Sequence, residues 1–118
     1  MSPRLAAERA GRRAETIAAW LLRCKGYAIL ARRFRAPVGE IDIIARRGNT
    51  LAFVEVKARG SRQAAIAALA PRQRRRLQRA ALAFQVRYPA AAGLDQRFDV
   101  VLVIPWRRLV HIMDAWRP

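Results

Sequence analysis

The sequence predicts an α/β fold, a mixed sheet of about five strands flanked by helices in the order α-β-β-β-α-β-β. Three observations carry that expectation. Two stretches with helical spacing, one near the start and one after Pro71, are separated by three strand-like runs, and two more such runs follow the second. A Gly48-Asn49 dipeptide joins two of the first three runs and reads as a hairpin turn. The chain has 118 residues, enough to fold on one hydrophobic core, and no linker or repeat divides it.

The elements follow in order. Ser2-Pro3 offers a helix cap with proline at the first helical position, and Ala10, Ala14, Ile17, Leu21 and Cys24 recur at three- and four-residue spacing. A helix is expected over residues 3–25, with Gly26 as a left-handed stop. Tyr27 to Arg35 reads as a weakly patterned strand. Pro37-Val38-Gly39 turns the chain into the hairpin GEIDIIARRGNTLAFVEVK, residues 39–57. Ala58 to Ala70 reads as a mobile loop that could hold a helical turn. Pro71 opens a second helix with a stripe of Leu77, Ala81, Phe84 and Tyr88, while Arg72, Arg74, Arg75, Arg76 and Arg79 crowd its first half. After a loop over Pro89 to Gln96, Arg97 to Ile104 alternates as a buried strand and Leu109 to Met113 forms a short last one.

Composition narrows the function classes. The 24 basic residues against 8 acidic ones make a formal charge of +16, which attracts polyanions, and nucleic acid is the leading partner. Only Lys25 and Lys57 are lysine; the other basic residues are arginine. The single cysteine, Cys24, can form neither an internal disulfide nor a zinc knuckle, which fits a reducing cytoplasm. No apolar run approaches the roughly 20 residues of a membrane span, so a cytoplasmic protein without membrane attachment is expected.

In so basic a chain, three of the acids fall within the hairpin. Alternation places Glu40, Asp42 and Ile44 on one face of its first strand, with Ile41 and Ile43 on the other, and puts Glu55 and Lys57 on a common face. A turn centred on Gly48-Asn49 sets Asp42 opposite Glu55 and Glu40 opposite Lys57. Opposed carboxylates repel unless something positive lies between them. A hard divalent cation, Mg²⁺ or Mn²⁺, takes one or two protein carboxylates and completes its shell with water and phosphate oxygens. Lys57 beside the pair suits water positioning and charge stabilisation in phosphodiester hydrolysis. The plainer alternative is a solvated hairpin with cross-strand ion pairs, Glu55 with Arg46 or Glu40 with Lys57.

The linked GEID and VEVK blocks, with GRRAETIAAWLLRCKGYAILARRFR before them and PRQRRRLQRAA, RFDVVLV and HIMDAW after, resemble the YraN family, which belongs to the PD-(D/E)XK nuclease superfamily and is similar to Holliday junction resolvases. The resemblance implies a single restriction-endonuclease-like domain. It implies that Asp42 and Glu55 are metal ligands, that Val56 offers its carbonyl, that Lys57 is the catalytic lysine and that Glu15 is a further acid of the same site. Glu40 and Gln73 match supporting positions. Read from residues alone, Glu15 could instead pair with Arg12, and Gln73 could begin the buried stripe of the second helix. Asp99, alone among apolar residues, reads as a buried arginine partner, and His111 as an exposed residue of the last strand. Trp20, Trp106 and Trp116 read as packing residues.

The expectation is therefore a Mg²⁺- or Mn²⁺-dependent endonuclease acting on structured or branched DNA, with the arginines of the second helix on the phosphate backbone. A homodimer follows from the resemblance. The alternative is a non-catalytic nucleic-acid-binding protein with a nuclease-like fold, and a basic RNA-binding protein is a third, weaker reading.

Overall fold

Ser2 opens helix α1, Pro3–Cys24: its Oγ accepts the Leu5 N–H at 3.1 Å, and Pro3 occupies the first turn, where a missing N–H costs nothing. Gly26, at φ 90°, stops the helix as expected. In this computed structural model, which describes residues 2–104 and 108–118, strands β1 (Ala28–Ala36), β2 (Gly39–Arg47) and β3 (Thr50–Ala58) then run antiparallel. Helices α2 (Arg62–Ala67) and α3 (Pro71–Arg87) and a single 3₁₀ turn (Pro89–Ala91) lead into β4 (Asp95–Ile104), and β5 (Arg108–Trp116) closes the order β1-β2-β3-β4-β5. Among the described residues only β3 and β4 pair in parallel, because a helical crossover long enough to return the chain to the same end of the sheet joins them.

The sheet is covered on both faces. On one, Leu77, Ala80, Ala81 and Phe84 of α3 pack on Phe34, Ile41, Ile44, Leu51, Phe53 and Phe98. Phe34 and Phe53 each meet Phe84 edge-on, and Phe98 stacks on Trp116 at 4.2 Å. On the other, Ala18, Ala19 and Leu22 of α1 lie on Ile43, Ala45, Ala52, Val54 and Val101. Alanine facing alanine lets α1 approach the sheet closely.

Several expectations need correction. The buried face of α1 is Ala14, Glu15, Ala18, Ala19 and Leu22, whereas Ala10, Ile17 and Cys24 are exposed. The helix is rotated toward its small residues, and Glu15 rides on the packed face. The segment 58–70 contains α2, capped by Ser61 Oγ on the Ala64 N–H, with Ala65 buried. Tyr88 stacks on Phe84 but is half exposed. The last strand extends to Trp116, and Trp106 lies outside the described residues. Trp116 is buried as expected, but Trp20 is exposed beneath the Arg23 guanidinium.

The largest correction concerns alternation. Ile41 and Ile44 both join the core under α3 while Ile43 joins the core under α1, so Ile41 and Ile43 do not share a face. The switch falls at Asp42. Across from it on β1, Arg32 reaches α1 while Phe34 points into the core under α3, and the residue between them, Arg33, has φ 52°. Both strands change faces together, so the pairing of Arg32 with Ile43 and Phe34 with Ile41 survives. A left-handed residue in mid-strand supplies the twist that permits it.

Candidate metal and phosphodiester site

The hairpin register is the one that a Gly48-Asn49 turn dictates: pairing runs from Arg47 with Thr50 to Ile43 with Val54, and Gly48 takes φ 58°. It stops one step short of Asp42 and Glu55. Beyond that point side chains replace the backbone ladder. The Val56 N–H donates to Asp42 Oδ2 at 2.8 Å, and the Asp42 N–H donates to Glu55 Oε1 at 3.4 Å. The two acids thus cap each other's strands, holding β2 and β3 apart where a regular sheet would close. The Val56 carbonyl lies on the same edge of β3 as its N–H, so it faces the same gap.

The environment of the pair is electrostatically uncomfortable for anions. Glu55 is buried, and burial, followed by the charge of Asp42, pushes its carboxyl well above the usual range, against the opposing pull of Lys57. Asp42 is half-buried and is also raised, first by burial and then by Glu15 and Glu40, with the Val56 N–H and Lys57 working the other way. Among the described residues no N–H group donates to Asp42 Oδ1 or Glu55 Oε2, and the two carboxyls lie within hydrogen-bonding reach of each other. Two desolvated carboxylates short of donors and one nearby lysine suit a hard cation, which needs only one or two protein carboxylates. The expected cross-strand pairs of Glu55 with Arg46 and Glu40 with Lys57 do not form; Glu40 pairs with Arg35 at 3.7 Å.

Asp42 opens into a cleft of about 410 Å³. Its acidic lining is Glu8, Glu15, Glu40 and Asp42; its basic lining is Arg12, Arg33 and Arg35; Gly11 and Val56 complete it. The structure thus brings Glu15, Glu40, Asp42 and Val56 to one cleft, with Glu55 bonded behind Asp42. Lys57 is half-buried, two residues beyond Glu55. Among the described residues, however, no three acidic, histidine or cysteine side chains gather as a metal cluster. Glu15 accepts Arg32 Nε at 3.3 Å and Arg33 Nε at 3.1 Å, so its partners are these two arginines and not Arg12.

Gln73 and the arginines of α3 do not line this cleft. They sit on the helix covering the opposite face of the sheet, where Arg72, Arg75, Arg76 and Arg79 are exposed and Arg74 donates to the Leu69 carbonyl at 2.8 Å. α3 does come close to the cleft's end: a Cβ added to Gly39, beside Glu40, would sit 2.8 Å from the Arg76 carbonyl oxygen. Sequence reasoning missed Arg32, Arg33 and Arg35, and had Arg12 only as a partner of Glu15. One signal was present. Adjacent arginines in a strand covered on both faces cannot both alternate without sending one beneath a helix.

A second polar cluster lies away from the cleft. Asp99, fully buried, accepts both Arg97 Nε and Arg97 Nη2 at 2.8 Å, as an arginine partner should. It also accepts the Asp114 N–H at 3.0 Å and lies 2.8 Å from His111 Nε2. His111 is not exposed: its side chain is 3% accessible, between Asp99 and Lys25 Nζ. The apolar alternation of β5 concealed this, because the partner of His111 is supplied by β4.

Residues 14–103 match the model of the "Uncharacterised protein family UPF0102". The chain is 60% identical over 114 residues to a UPF0102 protein of Parvibaculum lavamentivorans, an alignment covering 97% of this chain and 86% of that one. It is 52% identical to a UPF0102 protein of Paramagnetospirillum magneticum, covering 95% and 90%, and 49% identical to one of Rhizorhabdus wittichii, covering 98% of each.

Proposed function

The chain belongs to UPF0102, the YraN family, and for it we propose a metal-dependent endonuclease that hydrolyses phosphodiester bonds in structured or branched DNA. The observation that carries the reading is the interrupted ladder at Asp42 and Glu55, where a half-buried and a buried carboxylate, each accepting a single backbone N–H, replace backbone pairing. A structural ion pair would have neutralised them. Asp42 Oδ1, Glu55 Oε2 and the Val56 carbonyl would hold Mg²⁺ or Mn²⁺, which when bound polarises phosphoryl oxygens and activates water. Lys57, on the same strand as Glu55, would orient water and stabilise developing negative charge beside the reacting phosphate. The net charge of +16 supplies sequence-independent attraction to the backbone.

A second reading, a non-catalytic nucleic-acid-binding protein on the same fold, is favoured by one observation: Glu15 is engaged by two arginines and leaves the metal pair without a third acid. Calorimetric titration of Mn²⁺ into wild type and Asp42→Ala, with short duplex DNA present, separates the two. The nuclease reading expects a saturable site that is lost in the variant, together with cleavage of a branched DNA panel by wild type alone. DNA binding without metal binding by either protein would transfer the lead to the second reading.

A further inference from the structure

Arg33 holds a backbone conformation that disfavours every residue but glycine and, less strongly, asparagine and aspartate. Such strain persists only where surroundings enforce it, and here its effect is specific. In a regular strand Arg32 and Arg33 would point to opposite faces. With φ at 52°, both reach the α1 face and both bond the buried Glu15, while Phe34 still enters the core under α3. Arg32 is further fixed by Thr16 Oγ1 at 3.0 Å. Arg33 engages Glu15 through Nε alone, and among the described residues its two terminal nitrogens have no partner.

Among the described residues, most of the charges in the cleft are paired. Glu8 has Arg4, Glu40 has Arg35, and Glu15 has two guanidiniums. The exception among the acids is Asp42, with Glu55 behind it. On the basic side, Arg12 on the α1 wall and the outer half of Arg33, on the strand facing Asp42, remain available. One end of the cleft therefore suits a cation and the adjoining wall suits an anion.

We propose that Arg33, oriented by Glu15 and joined by Arg12 from α1, forms a clamp for a DNA phosphodiester group next to the one at the acid pair. Glu15 is then a positioning residue and not a metal ligand. The proposal rests on the nuclease reading for the identity of the neighbouring group, but the anion site itself requires no metal. A guanidinium fixed through Nε presents its remaining N–H groups as a planar fork matched to two phosphate oxygens.

The test is anisotropy of a short fluorescein-labelled DNA duplex in EDTA across a salt series, with the full chain. Arg33→Asn retains a residue tolerant of the left-handed conformation; it should weaken binding about tenfold at low salt and reduce the slope of log affinity against log salt by about one. Arg33→Lys should keep the slope and lose a smaller part of the affinity, since it keeps charge without the fork. Arg12→Ala, on an exposed helical surface, should also lower the slope. Glu15→Gln gives the sharpest contrast: removing an acid should by charge alone tighten DNA binding, whereas loss of positioning should weaken it about two- to threefold. The same variant should still bind Mn²⁺.

Wild-type slopes in both Arg33→Asn and Arg12→Ala would overturn the clamp, as would tighter DNA binding by Glu15→Gln. Loss of Mn²⁺ binding in Glu15→Gln would make Glu15 a ligand and overturn its positioning role. If Arg33→Asn proves unfolded by circular dichroism, Arg12→Ala and Glu15→Gln decide by the same criteria. Failure of wild type to bind Mn²⁺ or cleave DNA would overturn the nuclease reading alone, because the salt slope is measured without metal.

Discussion

Among the described residues, the sites around Asp99 and around Asp42 and Glu55 each set a buried carboxylate near a non-glycine residue of positive φ, and they treat it in opposite ways. Asp99, near Asp114 at φ 53°, receives the Arg97 fork, the His111 ring and the Asp114 N–H. Burial alone would raise its carboxyl, but the His111 and Arg97 hydrogen bonds, with the Asp114 N–H, outweigh it and leave it below the usual range. Asp42 and Glu55, near Arg33, receive one backbone donor each, and both carboxyls are raised. A satisfied acid holds strands together, whereas an acid pair left short of donors keeps its charge uncompensated, which is what the proposed cation would relieve. Glu55 is buried much as Asp99 is, so burial alone does not distinguish the two sites. The number of donors does.

The comparison can be broken most severely at its functional end. Asp42→Ala should lower DNA cleavage at least a hundredfold, since cation stabilisation is worth several kcal/mol of barrier, while DNA affinity stays equal or rises; gel assays of cleavage and binding on one substrate check both. Next, Asp99→Ala should destabilise by about 3–5 kcal/mol in urea denaturation, because it leaves half-buried Arg97 without its counter-charge and the enclosed His111 ring without its hydrogen-bond partner. Its folded fraction should still bind Mn²⁺. Of similar or smaller size, Gly39→Ala should cost about 1–3 kcal/mol, as its methyl group meets the Arg76 carbonyl and α3 must shift.

The isosteric changes sharpen the contrast by sign. In metal-free protein Asp42→Asn should raise stability by about 0.5–2 kcal/mol, removing one of two repelling charges while its amide oxygen still accepts the Val56 N–H. Asp99→Asn should lower it. The smallest effect is the pH dependence. Asp99 is depressed, so its contribution is present above the unfolded value near pH 4 and is lost as pH falls through the lower folded value. Asp42 and Glu55 are raised, so in the metal-free state their ionisation lowers stability as pH climbs from about 4 through their folded values. Thermal melts should show the acid-side loss reduced in Asp99→Asn and the decline above it reduced in Asp42→Asn, and Mn²⁺ affinity of wild type should rise across the same upper interval.

Much of this was legible in the chain. Gly48-Asn49 determined the hairpin register, and with it the meeting of Asp42 and Glu55, because a two-residue turn leaves no freedom in pairing. Arg97 and Asp99, two apart on a strand, had to share a face. What stayed hidden depended on departures from local periodicity. Period-two reasoning assigned Ile41 and Ile43 together because it cannot foresee a left-handed arginine on the neighbouring strand. The hydrophobic count on α1 favoured Ile17 over Ala18 because close helix-sheet approach rewards small side chains, a property of the partner surface. Glu15 was picked out, yet its partners Arg32 and Arg33 were not, since that contact depends on the same strained residue.

The first half of α1 has a further consequence. Residues 2–13 are all exposed, so this stretch buries no side chain and persists as a continuation of the anchored turns that begin at Ala14. A segment of that kind is held only from its anchored side, and its amides should exchange progressively faster from Ala14 back to Ser2. Arg12, Gly11 and Glu8 belong to it and form one wall of the cleft. The cleft is thus bounded on one side by a rigid sheet and on the other by a helix end that can melt without disturbing the core. By linkage, any polyanion that bridges both walls must order this helix, and hydrogen exchange there would report occupancy even when the sheet is unchanged.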